Sequence, residues 1–264
     1  MCEVNDGGSG RVLPEGVDSL LARLLVPQPQ DRLLDLGGKH SCLWRACVEV
    51  STHPSATARS SGESSADTSG LAGQFDVIVA DFFSAPSSAG AAAGAPVNVC
   101  CFTRIASLLK ILAPASSGRS GGVMGVIMPF ANLACAEGRP LRREWIEANL
   151  LEAVIRLPAS SSRQAAVIVL FRHGKSTTEV LVIDGAQLLE SGTHGVSGHA
   201  DDSLVRLYRL GRMPLPVALS SPVCYVSELA DSFAADEGGG ALSRVGLRRI
   251  RGEDYRLDRL FGCG

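Results

Sequence analysis

The sequence has few aromatic residues and lacks the features that mark membrane or secreted proteins. Aromatic side chains make up 5% of the 264 residues, against 45% hydrophobic residues, so the core is expected to be mainly aliphatic. No run of about 18 apolar residues occurs, so no membrane-spanning helix is expected. The stretch from Met1 to Arg11 is polar and glycine-rich, without an apolar signal segment. These absences predict a cytoplasmic protein without a membrane partner.

An excess of positive charge is also missing. The chain has 25 Lys plus Arg against 27 Asp plus Glu, which gives a formal net charge of −2. This balance does not indicate a protein that binds nucleic acid by its overall charge. If DNA is a partner, the positive surface must be local, or another subunit must supply it.

The cysteines lack the spacing of a metal site. None of the eight forms a C-x-x-C pair, no paired histidines accompany them, and several lie inside apolar runs. The sequence therefore predicts buried free thiols in a reducing compartment rather than metal ligands or disulfides.

Apolar segments of strand length alternate with amphipathic segments of helix length. The predicted strands cover residues 32–36, 75–80, 123–128, 151–157, 165–171 and 180–183. The predicted helices cover residues 14–25, 41–50, 100–112, 141–149 and 226–233, while residues 204–210 fit a strand or a helix. This alternation predicts an α/β fold with a parallel or mixed sheet covered by helices on both faces.

Composition divides the chain into three parts. We predict a flexible N-terminus over residues 1–13, an α/β domain over 14–190 and a C-terminal appendage over 191–264. The domain contains a Ser-rich loop over about 51–70, predicted to be disordered, and a small-residue loop over 84–96. The appendage ends in a basic tail, in which Arg248, Arg249 and Arg251 are candidate contacts to DNA phosphates. A solvated surface is the alternative explanation of this tail.

The first candidate site follows the first predicted strand. The strand ends at Asp35 and runs into Gly37 and Gly38, before a predicted helix. Rossmann-like folds hold nucleotide-type ligands at such a turn, because glycines let the backbone approach the ligand. On these residues alone, an ordinary strand-to-helix turn explains the pattern at least as well.

The second candidate site follows the second predicted strand. It consists of Asp81, Phe82, Phe83 and Ser84, which together offer a carboxylate and two aromatic rings. Enzymes that modify a base extrude it from the duplex and stack it on such rings. The alternative, which residue statistics favour, is that Phe82 and Phe83 pack in the core.

The order of these blocks resembles the catalytic domain of N6-adenine DNA methyltransferases, in particular the modification (M) subunits of type I restriction-modification systems. The most specific pieces are Phe75 to Ala80, like the family's F-D-V-I-V-A strand, and Leu151 to Pro158, like its L-x-A-V-I-x-L-P strand. The resemblance covers about residues 14–184, and Asp254 to Asp258 resembles the family's closing D-Y-x-L. It implies a Rossmann-like fold, S-adenosylmethionine as cofactor, DNA as substrate, and a separate specificity subunit as partner.

The resemblance also assigns roles to the two candidate sites. It implies that Asp35, Gly37 and Gly38 hold S-adenosylmethionine. Between Asp35 and Asp81, Glu49 is the only plausible acid for binding the ribose hydroxyls of the cofactor. It implies that Asp81 accepts hydrogen bonds from the adenine amino group, and that Phe82 or Phe83 stacks on the base.

Both sites depart from the family pattern. Lys39 and Ser41 stand where the family's glycine-rich motif has its central and last glycines, and a side chain there crowds the cofactor. Asp81 to Ser84 replaces N-P-P-F, and only 46 positions separate Asp35 from Asp81, so much of the cofactor wall is expected to be missing.

Three hypotheses follow from these departures. The chain is an active adenine methyltransferase, or a non-catalytic relative without cofactor that serves as a DNA- or protein-binding subunit in a restriction or phage-defence complex. The third hypothesis is a methyltransferase that acts on a small molecule or another protein. Loss of catalysis explains the separate departures with a single cause.

Overall fold

A mixed seven-stranded sheet with helices on both faces forms the centre of the molecule. The computed structural model describes residues 16–28, 30–36, 72–83, 97–116, 121–157, 165–185, 198–212 and 242–261. The strands are β1 (Leu33–Asp35), β2 (Val77–Asp81), β3 (Val123–Pro129), β4 (Leu151–Arg156), β5 (Ala166–Arg172), β6 (Val180–Asp184) and β7 (Leu242–Val245). The helices are α1 (Val17–Leu25), α2 (Val97–Ile111), α3 (Arg139–Glu147), α4 (Gly198–Arg212) and α5 (Leu247–Gly252). The predicted α/β class is confirmed.

The spatial order of the strands is β1-β2-β3-β5-β4-β6-β7. Five strands run parallel, while β5 and β7 run antiparallel to their neighbours. Nearly every residue of β2 to β6 is buried, which explains why these strands read as continuous apolar runs rather than as alternating patterns. Because five strands run in the same direction, their carboxyl ends share one edge of the sheet, the edge at which α/β folds bind ligands.

Two hydrophobic clusters lie on opposite faces of the sheet. On one face, α1 and α4 cover strand residues such as Leu33, Val77 and Val79. On the other face, α2, α3, α5 and a short 3-10 helix over 257–261 cover residues such as Leu34 and Ile78. The layered architecture expected from the sequence thus places a helical cover on both sides of β1 and β2.

The boundaries of two helices, α1 and α3, differ from the prediction for backbone reasons. Helix α1 begins at Val17, because Gly16 before it has a left-handed φ of 86°. Helix α3 begins at Arg139, with a proline in its first turn where the missing N–H costs nothing, and it ends before Asn149, whose φ is 55°. Predictions for residues 1–13, 41–50, 51–70, 84–96 and 226–233 lie outside the described residues.

The ambiguous segment 204–210 is helical and belongs to α4. Its buried residues, Leu204, Val205, Leu207 and Tyr208, lie on the side of α4 that faces the sheet. Strand β7 pairs with β6 and completes the same sheet. The described residues of the segment 191–264, which the sequence analysis set apart as an appendage, thus extend the sheet and cover its faces.

Candidate functional site

Asp35 and Asp81 end two adjacent parallel strands at the same edge of the sheet. In the register of β1 and β2, Asp35 is the partner of Val79, two residues before Asp81. The Leu36 N–H donates to the Val79 carbonyl at 3.2 Å, so the pairing continues one residue beyond Asp35. Asp35 is fully buried and Asp81 is half-buried. The structure thus brings these two strand ends together, while their chemical roles stay predictions.

The carboxylate of Asp81 is bound by its own turn. Its Oδ1 accepts a hydrogen bond from the backbone N–H of Phe83 at 2.8 Å. The backbone N–H of Phe82 donates to the Ile127 carbonyl on β3, also at 2.8 Å. Aspartate often binds backbone two residues ahead in this way, which fixes the side chain against the turn. A proline at position 83 has no N–H and would leave this oxygen to other donors.

The two rings after Asp81 have different environments. Phe83 is 1% exposed and lies in the hydrophobic cluster beneath α1. Phe82 is half-buried and packs against the cluster on the other face. Phe83 is therefore a core residue in this structure, and this burial does not fit the predicted stacking on a base. Ser84 lies outside the described residues.

Asp35 is the one predicted cofactor-binding residue that the structure describes. Gly37, Gly38 and Glu49 lie outside the described residues, as do Lys39 and Ser41. A buried acid at the end of β1 fits the position at which Rossmann-like folds bind the polar part of a nucleotide-type ligand. Among the residues described, no cluster of histidine, cysteine or acidic side chains could hold a metal ion, and no helix is long and apolar enough to cross a membrane.

Sequence reasoning missed three residues farther along the same edge. Phe130 follows β3, Arg156 ends β4 and Asp184 ends β6. The Arg156 guanidinium lies 5.1 Å from the centre of the Phe130 ring and pairs with Asp184 at 3.5 Å. The sequence contained a signal for Asp184, because β6 ends in an acid just as β1 and β2 do.

A buried arginine on α3 was also missed. Arg142 is 1% exposed, and its guanidinium donates to the carbonyls of Asn132 at 3.2 Å, Cys135 at 2.8 Å and Tyr255 at 2.9 Å. Burial lowers its pKa, although the Cys135 thiol opposes this shift. Arg142 thus ties the segment after β3 to the C-terminal segment.

The three arginines predicted to contact DNA are exposed on α5, but they are not equivalent. Arg251 forms a two-pronged ion pair with Glu147 on α3, whereas Arg248 and Arg249 extend from the surface. Helix α5 follows β7, whose last residue, Val245, pairs with the first residue of β6. These arginines therefore lie toward the amino edge of the parallel strands, opposite Asp35 and Asp81.

No protein-family model matches the sequence, and the comparison with curated proteins finds no match. Solved structures do match. The M protein of the type I restriction enzyme EcoKI has a TM-score of 0.63 at 14% identity, with 94% of this chain and 66% of that chain covered. The type I methyltransferase subunit from Streptococcus thermophilus has a TM-score of 0.57 at 14% identity, with coverages of 93% and 57%.

A type IIG restriction endonuclease, BpuSI, matches with a TM-score of 0.54 at 14% identity, covering 97% of this chain and 33% of that one. These likenesses show that the chain has the Rossmann-like fold of S-adenosylmethionine-dependent methyltransferases. The resemblance to type I modification subunits is confirmed at the level of the fold. The chain spans about 57% to 66% of the length of the two modification subunits compared.

Proposed function

We propose that this chain is a methyltransferase-like subunit of the type I restriction-modification kind, whose N6-adenine DNA methyl transfer is weakened or lost. The observation that carries the proposal is the turn at the end of β2. It retains an acid beside Asp35 at the ligand-binding edge, yet it binds that acid to the Phe83 N–H.

The fold supports the retained part of the function. Asp35, with Gly37 and Gly38, would hold S-adenosylmethionine, which supplies the methyl group when bound. Asp81, on the neighbouring strand, would face the amino group of an extruded adenine. Methyl transfer depends mainly on bringing donor and acceptor together, so two adjacent strand ends provide the basic requirement.

The same turn supports the loss of efficiency. The amino group must find an acceptor in Asp81, but the Phe83 N–H already bonds Oδ1 at 2.8 Å. Phe83 is buried beneath α1, which leaves the half-buried Phe82 as the ring for stacking. Catalytic geometry is sensitive to displacements of about 1 Å, so a redirected acceptor and a stacking ring that is itself half-buried lower the rate substantially.

A non-catalytic binding subunit is the second candidate. The burial of Phe83 in the core favours it, because a ring that stabilises the fold persists without any catalytic requirement. In either case, DNA and the specificity or other subunits of a restriction-modification complex are the proposed partners. The chain spans about two thirds or less of the length of the compared modification subunits.

The test measures cofactor binding and methyl transfer separately on the full chain. S-adenosylmethionine is titrated by calorimetry up to millimolar concentration, and transfer of a labelled methyl group to unmethylated genomic DNA is followed. The variants are Asp81→Ala and, as a matched loss of an acid on α4, Asp202→Ala. We expect weak binding and transfer close to that of Asp81→Ala.

Rapid methylation that disappears in Asp81→Ala but persists in Asp202→Ala would refute weakened catalysis. Absence of cofactor binding at millimolar concentration would instead establish the non-catalytic candidate. Efficient labelling of protein or small molecules, without DNA labelling, would favour the third hypothesis and reject both proposals.

A further inference from the structure

A buried carboxylate lies at the amino edge of the sheet, away from the candidate site. Glu152, the second residue of β4, is 6% exposed, and Arg172 ends the neighbouring strand β5. Arg172 is paired with Val123, the first residue of β3, so this edge is the amino edge of the parallel strands. Strands of five to seven residues separate it from Asp35 and Asp81 by roughly 20 Å. A ligand between those two acids therefore does not account for the groups around Glu152.

Glu152 is the extra residue of a β-bulge. Leu151 of β4 pairs with Phe171 of β5. The next pair joins Ala153 to Leu170, so β4 advances by two residues while β5 advances by one. Leu151 and Ala153 therefore contribute to opposite faces of the sheet, although residues two positions apart share a face in a regular strand. Bulges redirect a side chain and are common next to functional sites, and this one directs Glu152 toward α4.

Two guanidinium groups and one hydroxyl bind this carboxylate. Arg172 Nε donates to both oxygens of Glu152 at 2.9 Å. Arg212 Nε lies 2.9 Å from Oε1, and the Tyr208 hydroxyl donates to Oε2 at 2.9 Å. The exposed fraction of the side chain rises from 8% at Glu152 and 13% at Arg172 to 42% at Arg212. The cluster thus opens to solvent at Arg212, the last residue of α4.

A third positive group lies beside the same carboxylate. Lys175, in the connection from β5 to β6, donates through Nζ to the carbonyls of Leu151 and Glu179. Burial lowers the pKa of Lys175 to about 8, although the charges of Glu152 and Glu179 oppose this shift. Arg244 lies 3.9 Å from Glu179, and these two charges cancel. The ammonium of Lys175 is therefore poorly solvated and would gain from a further negative charge nearby.

The cluster has more positive than negative charge. Three positive groups, those of Arg172, Arg212 and Lys175, lie around one carboxylate, which leaves a surplus of two positive charges. The whole chain has a net charge of −2, so this surplus is a local feature. Each arginine contacts Glu152 through its Nε, while its two terminal nitrogens carry four further N–H donors. Such a cluster suits an anion with two charges and several acceptor oxygens.

We propose that Arg172, Arg212 and Lys175 form a binding site for a dianionic phosphate group. A phosphate monoester carries a charge of about −1.5 to −2 at neutral pH, which matches the surplus, whereas a phosphate diester carries a single charge. The guanidinium fork fits phosphate oxygens, and the contacts to Glu152 already fix both guanidinium groups, so binding orders few additional side chains. The group is supplied by free phosphate or by a small phosphate monoester. This inference goes beyond the proposed function and requires neither cofactor nor methyl transfer.

The test is calorimetric titration of the full chain at constant ionic strength. The probes are inorganic phosphate, glycerol 3-phosphate as a monoester and dimethyl phosphate as a diester. The buffer is held at about pH 7, where Lys175 is protonated and a monoester is close to dianionic. The test variant is Arg212→Gln, and the control is Arg209→Gln, which removes the same charge from an exposed position of α4. Circular dichroism confirms that both variants fold.

We expect saturable binding of glycerol 3-phosphate to the parent, binding that is several-fold weaker in Arg212→Gln, and unchanged binding in Arg209→Gln. Dimethyl phosphate should bind several-fold more weakly than the monoester. The proposal fails if no probe binds at millimolar concentration, if both variants lose affinity equally, or if the diester binds as well as the monoester. Tighter binding of glycerol 3-phosphate than of inorganic phosphate would assign the site to a phosphorylated molecule, and equal affinity would assign it to the free ion.

Discussion

Replacement of Arg142 by methionine is expected to destabilise the fold strongly. Methionine fills a similar volume but donates no hydrogen bond, so the carbonyls of Asn132, Cys135 and Tyr255 lose their donor. The guanidinium also lies 5.6 Å from the centre of the Phe102 ring, an interaction that methionine replaces only in part.

The magnitude follows from the number of buried groups left unpaired. Each buried carbonyl without a partner costs about 1 to 3 kcal/mol. The removed guanidinium no longer has to be desolvated, and this gain offsets part of the cost. We therefore expect the free energy of unfolding to fall by about 3 to 5 kcal/mol. This is a large share of the total free energy of unfolding of a typical domain, which is roughly 5 to 15 kcal/mol.

The assay is equilibrium urea unfolding, with Arg143→Met as the control. Arg143 is the next residue on α3 but is exposed, so its replacement should change the stability by less than about 0.5 kcal/mol plus a small ring contribution. In the parent, the Arg142 guanidinium joins residues 130–135 to residues 253–257. Amide hydrogen exchange in both segments should therefore be faster in Arg142→Met. A stability within about 1 kcal/mol of the parent would refute the reasoning, because two buried carbonyls and one half-buried carbonyl would have lost their donor.

Three further predictions concern other parts of the fold. Burial lowers the pKa of Lys175 from 10.5 to about 8. Between these pH values the unfolded chain binds more protons than the folded chain, so the free energy of unfolding rises with pH. Lys175→Met should flatten this rise, measured as urea midpoints between about pH 8 and 10. Tyr208→Phe removes the hydroxyl that donates to buried Glu152 at 2.9 Å and should cost about 1 to 3 kcal/mol in the same assay, and no loss would show that Arg172 and Arg212 suffice. Gly125→Ala would place a Cβ 2.5 Å from the buried Leu21 side chain and should lower the free energy of unfolding by about 1 to 3 kcal/mol. The control Gly246→Ala, with open space around the new Cβ, should be close to neutral. Equal shifts of the melting temperature in the two variants would contradict the packing at Gly125.

Much of the fold could be predicted from the sequence, because its strands are apolar in nearly every position. The runs 123–128 and 165–171 have the length and composition of buried strands, and a strand forms in each. The direction of a strand leaves no such signature. Strand β5 runs antiparallel between β3 and β4, an arrangement set by chain connections and pairing rather than by composition.

The candidate site was predictable where chemistry follows a strand end. Asp35 and Asp81 were identified because an acid after a buried strand is visible in the sequence, and the sheet brings them together. The Phe83 N–H bond to Asp81 was not predictable, because it depends on the backbone angles of one turn. Arg142 escaped for a different reason: its charge suggested a surface residue, and its acceptors lie up to 113 positions away in the chain.

The pairing of β7 with β6 has a consequence for synthesis on the ribosome. The outer edge of β6 stays uncovered until residues 242–245 have been translated and can pair with it. The Tyr255 carbonyl, which accepts a hydrogen bond from Arg142, is translated later still. A nascent chain that has reached residue 185 but not 245 therefore exposes an apolar strand edge, which is prone to pair with another chain. Chaperone contact during this interval, rather than after release, would protect the growing polypeptide.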